Sequence, residues 1–254
     1  MASTTKALEI PNALHAAVQS VAPLFGRMRK ALAEGENGQY ELEARVGLLS
    51  ADRFVPGINA ECMRQIEAML SSFTGWDRCT QGWVYTHDYF YRVDGKQYRT
   101  STTFGGASIS TVHMYKTVLE QQDLQHVPLH STAVLGHLCK IPVVADVRIS
   151  LAVESPVAEL PSLVTPFMLR FKQRRSFHIR GWRYDLTKTW QASSRKEMEA
   201  KQTQEPVCEV EVECEDPASC LAKPYHTDEY MATSLLLKML DVLTLRGLEP
   251  SQRR

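Results

Sequence analysis

Residues 208–215 read CEVEVECE, so that glutamates at 209, 211, 213 and 215 alternate with cysteine and valine. Successive side chains of a β-strand point to opposite sides, so all four carboxylates share one face and the other face is apolar. Taken alone, such a segment is an amphipathic strand with a solvated outer surface. The other strands decide whether that reading holds.

The same two-residue period recurs along the chain. Residues 40–49 set Glu41, Glu43 and Arg45 against Leu42, Ala44 and Val46. Segments 83–93 and 96–104 flank Asp94-Gly95, a hairpin signal. Further strands are predicted at 108–119, 143–154, 167–179, 182–190 and 207–215, with Gly181 at a tight turn between two of them. Three helices accompany these eight strands. One carries Leu14, Val18, Val21, Phe25, Met28 and Leu32, with Pro23 expected to kink or split it before the Gly35–Gly38 break. A second begins at the N-cap Asn59, after the Pro56-Gly57 turn, and carries Cys62, Met63, Ile66, Met69 and Leu70. The third spans 228–247, with Gly247 just past its end. Segments 155–166 and 192–206 read as loops, and 120–140, which holds His126, His130 and His137, has no clear element. The predicted fold is mainly β (α+β), an eight-stranded antiparallel β-barrel with helices packed on the outside, whose closure removes exposed strand edges. It forms a single domain over 1–254: a helical segment at 1–38, the barrel at 40–215 and the C-terminal helix at 228–247.

Lysine plus arginine equals aspartate plus glutamate, at 29 each, so any electrostatic function must come from local arrangement. The six cysteines form no CxxC pair and no zinc spacing, which argues against a structural zinc and for a reducing compartment. The N-terminal residues lack a signal-peptide pattern and no apolar run reaches membrane-spanning length, so an intracellular protein with no membrane partner is expected.

Every predicted strand has one ionic face. Asp88 shares a face with Phe90, Arg99 with Ser101, and Asp146 with Arg148, Ser150 and Glu154. Lys172, Arg174, Ser176 and His178 share another, as do Arg183, Asp185 and Thr187. The basic side chains are mostly arginine, which suits bidentate phosphate contact, and the signs segregate: one strand is acidic, while 170–175 carries Arg170, Lys172, Arg174 and Arg175. If helices cover the outside of a barrel, the ionic faces must look inward. Clustered carboxylates then need a cation, and an all-oxygen set favours Mg²⁺ or Mn²⁺. A metal, a basic clamp and a polyanion together describe phosphoryl transfer.

Four motifs in order resemble the metal-dependent RNA 5′-triphosphatases of fungal and protozoan type, members of the triphosphate tunnel metalloenzymes. Glu41-Leu-Glu43-Ala-Arg45 with the following Gly47 and Phe54-Val-Pro56-Gly57 is similar to their first motif. Lys172-Gln-Arg174-Arg-Ser176 resembles the basic motif, Arg183-Tyr-Asp185-Leu-Thr187 the Arg-x-Asp-x-Thr strand, and Glu209-Val-Glu211-Val-Glu213 the closing acidic motif. Asp146-Val-Arg148-Ile-Ser150 ending at Glu154 resembles an internal strand, and the short chain is similar to trypanosomatid members. The resemblance implies that Glu41, Glu43 and Glu213 hold the metal, and that Glu154, with Glu209, orients the attacking water. It implies phosphate binding by Arg99, Lys116, Lys172, Arg174 and Arg183, with Asp185, Thr187 and Glu211 bracing the tunnel and Asp88, Arg45 and Ser176 supporting it. Glu215 is a fourth carboxylate beyond the family's three, read as rim or solvent-facing.

The implied substrate is the 5′-triphosphate end of nascent mRNA, left as a diphosphate for cap formation in the nucleus, with NTPs as side substrates. No segment resembles the guanylyltransferase-binding or dimerisation regions of fungal members; a monomer is favoured, with a separate guanylyltransferase as a candidate partner. Two other readings use the same residues. One is a small-molecule triphosphatase or cyclase of the same fold, against which stands Arg45 where that group places lysine. The other is a non-catalytic barrel that binds an RNA end or inositol polyphosphate, which leaves the five glutamates of two strands unexplained.

Overall fold

The computed structural model describes residues 12–35, 38–50, 53–105, 108–125, 146–160 and 165–243. His126, His130, His137, Gly247 and the predicted first residues of the 143–154 strand lie outside the described residues. In chain order the elements are α1 (Asn12–Ala33), β1 (Gln39–Ser50), β2 (Arg53–Pro56), α2 (Ala60–Ser72) and β3 (Arg78–Cys79). There follow β4 (Val84–Val93), β5 (Lys96–Gly105), β6 (Ser108–Leu124), β7 (Asp146–Val157), β8 (Met168–Ile179) and β9 (Trp182–Ala192). The last described elements are α3 (Arg195–Lys201), β10 (Val207–Cys214), α4 (Pro217–Leu221) and α5 (Asp228–Leu243).

Eight strands pair in the order β10-β9-β8-β4-β5-β6-β7-β1, and β1 pairs back onto β10, which closes an antiparallel barrel. Two short strands add to the predicted eight: β2 folds back on β1, and β3 pairs with the end of β8. The two hairpin turns form as their sequences dictate, with Asp94-Gly95 and Arg180-Gly181 all at positive φ, the left-handed geometry such turns require. At Gly47 a side chain would collide with the Val55 carbonyl oxygen and the Phe54 ring, so only glycine lets β2 lie against β1 there.

The helices depart from expectation in two places. Pro23 does not split α1, which runs through it; a proline removes one ladder bond, and the buried Val21, Leu24, Phe25 and Met28 hold the helix to the barrel regardless. Segment 192–206 is not all loop but holds α3, whose N-cap Ser194 accepts from the Glu197 amide. The N-cap predicted at Asn59 is present, its side chain accepting from the Cys62 amide at 2.8 Å.

The main apolar core lies outside the barrel. The outward faces of β1 (Leu42, Ala44, Val46), β7 (Val147, Ile149, Leu151), β9 (Tyr184, Leu186) and β10 (Val210, Val212) are buried against α1, α2 and α5. With the apolar faces turned to the helices, strand alternation turns the ionic faces to the lumen. Arg175, out of phase with its basic neighbours, points outward and pairs with Glu67 on α2 at 2.8 Å.

Candidate active site

The acidic wall of the tunnel is the seam where the barrel closes. Glu43 on β1 stands opposite Glu213 on β10, and Arg45 opposite Glu211. Glu43, Glu209, Glu211, Glu213 and the Glu154 of β7 are each less than a tenth exposed. The face shared by Glu209, Glu211 and Glu213 is therefore a tunnel wall.

Basic side chains face it from the other strands and from β1 itself. Arg45 bridges Glu43 at 3.0 Å and Glu211 at 2.6 Å. Arg174 reaches Asp185 at 2.9 Å and Glu211 at 3.1 Å, and its Nε donates to the Thr187 hydroxyl. Arg183 pairs with Asp185 at 2.9 Å and with Glu213. On adjoining strands Lys116 of β6 reaches past β7 to pair with Glu41 and lies 3.8 Å from Glu154, which also holds Arg99 at 2.9 Å. Asp88, fully buried on β4, takes Lys172 at 2.8 Å, Arg170 at 3.0 Å and a hydrogen bond from Ser101. Ser176 donates to Asp185 at 2.6 Å. The residues assigned to the site from sequence thus fall into three bonded groups, one around Arg174, Asp185 and Glu211, one around Glu154 and one around Asp88, while Glu209 is buried on the same strand face as Glu211 and Glu213. Glu215 sits at the rim, bound to Arg78 and His178.

The electrostatics are those of charges crowded out of water. Burial raises the Glu43 carboxyl, and Glu211 and Glu41 add repulsion. Glu213 is pushed up to about 8 by burial and by Glu41, Asp185 and Glu43, against the pull of Arg183. Burial and Glu211 likewise raise Glu209. Glu211 goes the other way: burial opposes its ionisation, but Arg45 and Arg174 overcome it and hold the carboxyl at about 2. Lys172 is lowered to about 7 by burial and by repulsion from Arg170 and Arg174, which its pairing with Asp88 only partly offsets.

Two features bear on ligands. The Nε atoms of Arg45 and Arg99 are buried with no hydrogen-bond partner among the described residues, and such donors match the oxygens of a phosphate chain. Among the described residues no three histidine, cysteine or carboxylate side chains converge on one point as a metal cage. Glu41 turns to Lys116, Glu43 to Arg45 and Glu213 to Arg183. The donor set nonetheless suits a hard divalent cation, because it is all carboxylate and because Arg45 and Arg183 are each shared between two carboxylates.

The motifs do not single out Arg170, although it stands two residues before Lys172 and strand parity places both on one face. Arg78 had no signal: it lies on a two-residue strand that no periodicity reveals.

The closed antiparallel barrel, its lumen setting buried carboxylates against guanidinium and ammonium groups, has a tunnel fold. The family model for the mRNA triphosphatases, described as mRNA capping enzyme, beta chain, matches residues 140–233, the stretch that holds β7 to β10. The RNA triphosphatase Pct1 of S. pombe superposes with a TM-score of 0.62 at 17% identity, over 90% of this chain and 93% of that one. Pct1 in complex with the Spt5 CTD gives 0.60 at the same identity and the same coverage of each chain. The RNA triphosphatase domain of the mimivirus mRNA capping enzyme gives 0.51 at 16% identity, over 86% of this chain and 96% of that one. Among curated proteins none matches this chain by sequence. The structural likenesses establish the fold, and the match to the family model over residues 140–233, which hold the basic, Arg-x-Asp-x-Thr and closing acidic motifs, agrees with the resemblance drawn from the motifs.

Proposed function

We propose that this protein removes the γ-phosphate from 5′-triphosphate RNA with the aid of a divalent metal, leaving a 5′-diphosphate end. The observation that carries this is the lumen itself, with buried carboxylates on the β1–β10 seam facing basic side chains from β5, β6, β8 and β9. Glu41, Glu43 and Glu213 would hold the metal, Mg²⁺ or Mn²⁺, which when bound supplies charge neutralisation at the γ-phosphate oxygens. Arg99, Lys116, Arg170, Lys172, Arg174 and Arg183 bind phosphate oxygens and fix the chain in line. The buried Nε of Arg99 gains its missing acceptor there. Glu154, held by Arg99 at 2.9 Å, accepts a hydrogen bond from the attacking water. The water oxygen forms a bond to the γ-phosphorus as the bond to the β–γ bridging oxygen breaks. The bridging electrons stay on the diphosphate, and the proton given up by the attacking water passes to Glu154. Asp88, Asp185 and Thr187 touch no substrate and keep the cations aimed.

Phosphate release from RNA labelled at its γ-phosphate tests this reading. Wild-type protein with Mg²⁺ or Mn²⁺ releases label, and Glu41→Ala abolishes release while the circular dichroism spectrum is retained; turnover in the variant would remove the assigned site. Free NTP hydrolysis is expected to prefer Mn²⁺, and equal rates with both ions would count against that. The 5′-diphosphate product is the acceptor a separate guanylyltransferase would cap.

A further inference from the structure

One end of the tunnel opens into a cavity of about 340 Å³ beside β3 and the end of β8. Its wall runs from Arg78 at the rim, past His178, to Arg183 and Arg174 inside, so it is continuous with the phosphate-binding lumen. At the rim Glu215 pairs with Arg78 and lies 2.9 Å from Nδ1 of His178, and that same ring nitrogen is 3.2 Å from the Arg78 guanidinium. These three residues bond to one another rather than to the lumen carboxylates. The Arg78 side chain is 65% exposed, so its planar face and spare donors are open to a ligand at the mouth.

We infer that this rim is a nucleoside subsite, in which Arg78 and His178 hold the first nucleoside of the substrate while its phosphates lie deeper, on Arg183 and Arg174. The inference rests on the triphosphatase reading and adds to it the part of the substrate that lies outside the tunnel. A guanidinium and an imidazole both stack on a nucleobase, and a carboxylate accepts from ribose hydroxyls. Glu215 also fixes the long Arg78 side chain, so less freedom is lost on binding. The cavity is of small-ligand size and has room for one nucleoside, whereas an inorganic polyphosphate has nothing to place there.

Steady-state hydrolysis of triphosphate-ended RNA, ATP and inorganic tripolyphosphate by wild type, Arg78→Ala and His178→Ala tests the subsite. For Arg78→Ala, KM for RNA and for ATP is expected to rise about tenfold relative to KM for tripolyphosphate, the scale of one lost charge-assisted contact. On each substrate kcat should stay within about twofold. His178→Ala should move KM in the same direction, and Arg78→Lys, which keeps the charge but not the plane, should restore it in part. Parallel changes on all three substrates, or no change on any, overturn the subsite alone. A wild-type protein that releases phosphate from none of the three overturns the triphosphatase reading and the subsite with it.

Discussion

Lys172 lies 2.8 Å from Asp88, on the same face of β8 as Arg170 and Arg174. Burial and its two cationic neighbours bring its folded value to about 7, far below an ordinary lysine. From pH 7 up to the ordinary lysine range, the unfolded chain therefore binds more protons than the folded one. This group makes stability rise with pH across that window, and its cost is complete below pH 7. Asp88 is also lowered and so also makes stability rise with pH, but it stabilises the fold: burial favours its neutral form, yet Lys172 and Arg170 hold it far below the usual range, so its contribution persists until strongly acid pH. A bound polyphosphate would restore the Lys172 ammonium. Titration calorimetry with tripolyphosphate near pH 8, in buffers of different ionisation heat, should show uptake of about one proton, absent in Lys172→Met. Uptake unchanged in that variant would mean that another group titrates. Asp88→Asn leaves two buried cations facing a neutral amide and should cost about 3 kcal/mol in urea unfolding. The sequence made both residues legible, because strand parity fixes the face on which each lies.

Elements were readable where a period or a cap was written out, and opaque where they were short or out of phase. The eight barrel strands carry alternation over eight or more residues, and each emerged near its observed limits. β6 runs on to Leu124, beyond the predicted 119, because a bulge between Val118 and Glu120 shifts the register. Beyond it Glu120 pairs with Arg27 of α1, while Gln121 bonds to Ser150, so a strict two-residue count fails there. α3 had a signal that periodicity overlooks, the Ser194-to-Glu197 spacing of a capping box. α4 likewise begins with the N-cap Asp216 followed by Pro217. Two substitutions measure these local devices. Asn59→Ala removes the cap of α2 and should lower stability by about 1 kcal/mol. Gly47→Val forces a side chain into the Val55 carbonyl and the Phe54 ring and should cost about 3 kcal/mol, since backbone must move. If Gly47→Val matched wild type in chemical denaturation, the close approach of β1 and β2 would not be the reason for the glycine.

At the scale of the molecule, the decisive fact was which way the charged faces point, and no single strand contains it. The sequence answered it indirectly, through three helices with apolar stripes that need a sheet face to cover. The structure answers it by closure, since pairing of β1 with β10 places the glutamates of both strands inside. Closure also joins two strands far apart in sequence, and it does so where carboxylates crowd together. A divalent ion held by Glu41 and Glu43 on one side and Glu213 on the other would tie that seam and relieve the repulsion across it. Mn²⁺ or Mg²⁺ at about a hundred times its dissociation constant should then stabilise the fold by about 2.7 kcal/mol. For a chain of this size that is a rise of roughly 5–10 °C in the unfolding midpoint. Glu43→Gln and Glu213→Gln should lose this rise, yet in chelator they should be at least as stable as wild type, since burial and the neighbouring carboxylates already disfavour the charged form of each. Hydrogen exchange locates the effect: metal should protect the amides of β1 and β10 more than those of β4 and β5. Equal protection around the whole barrel, or a midpoint that ignores the metal, would mean that the seam is not where the ion binds.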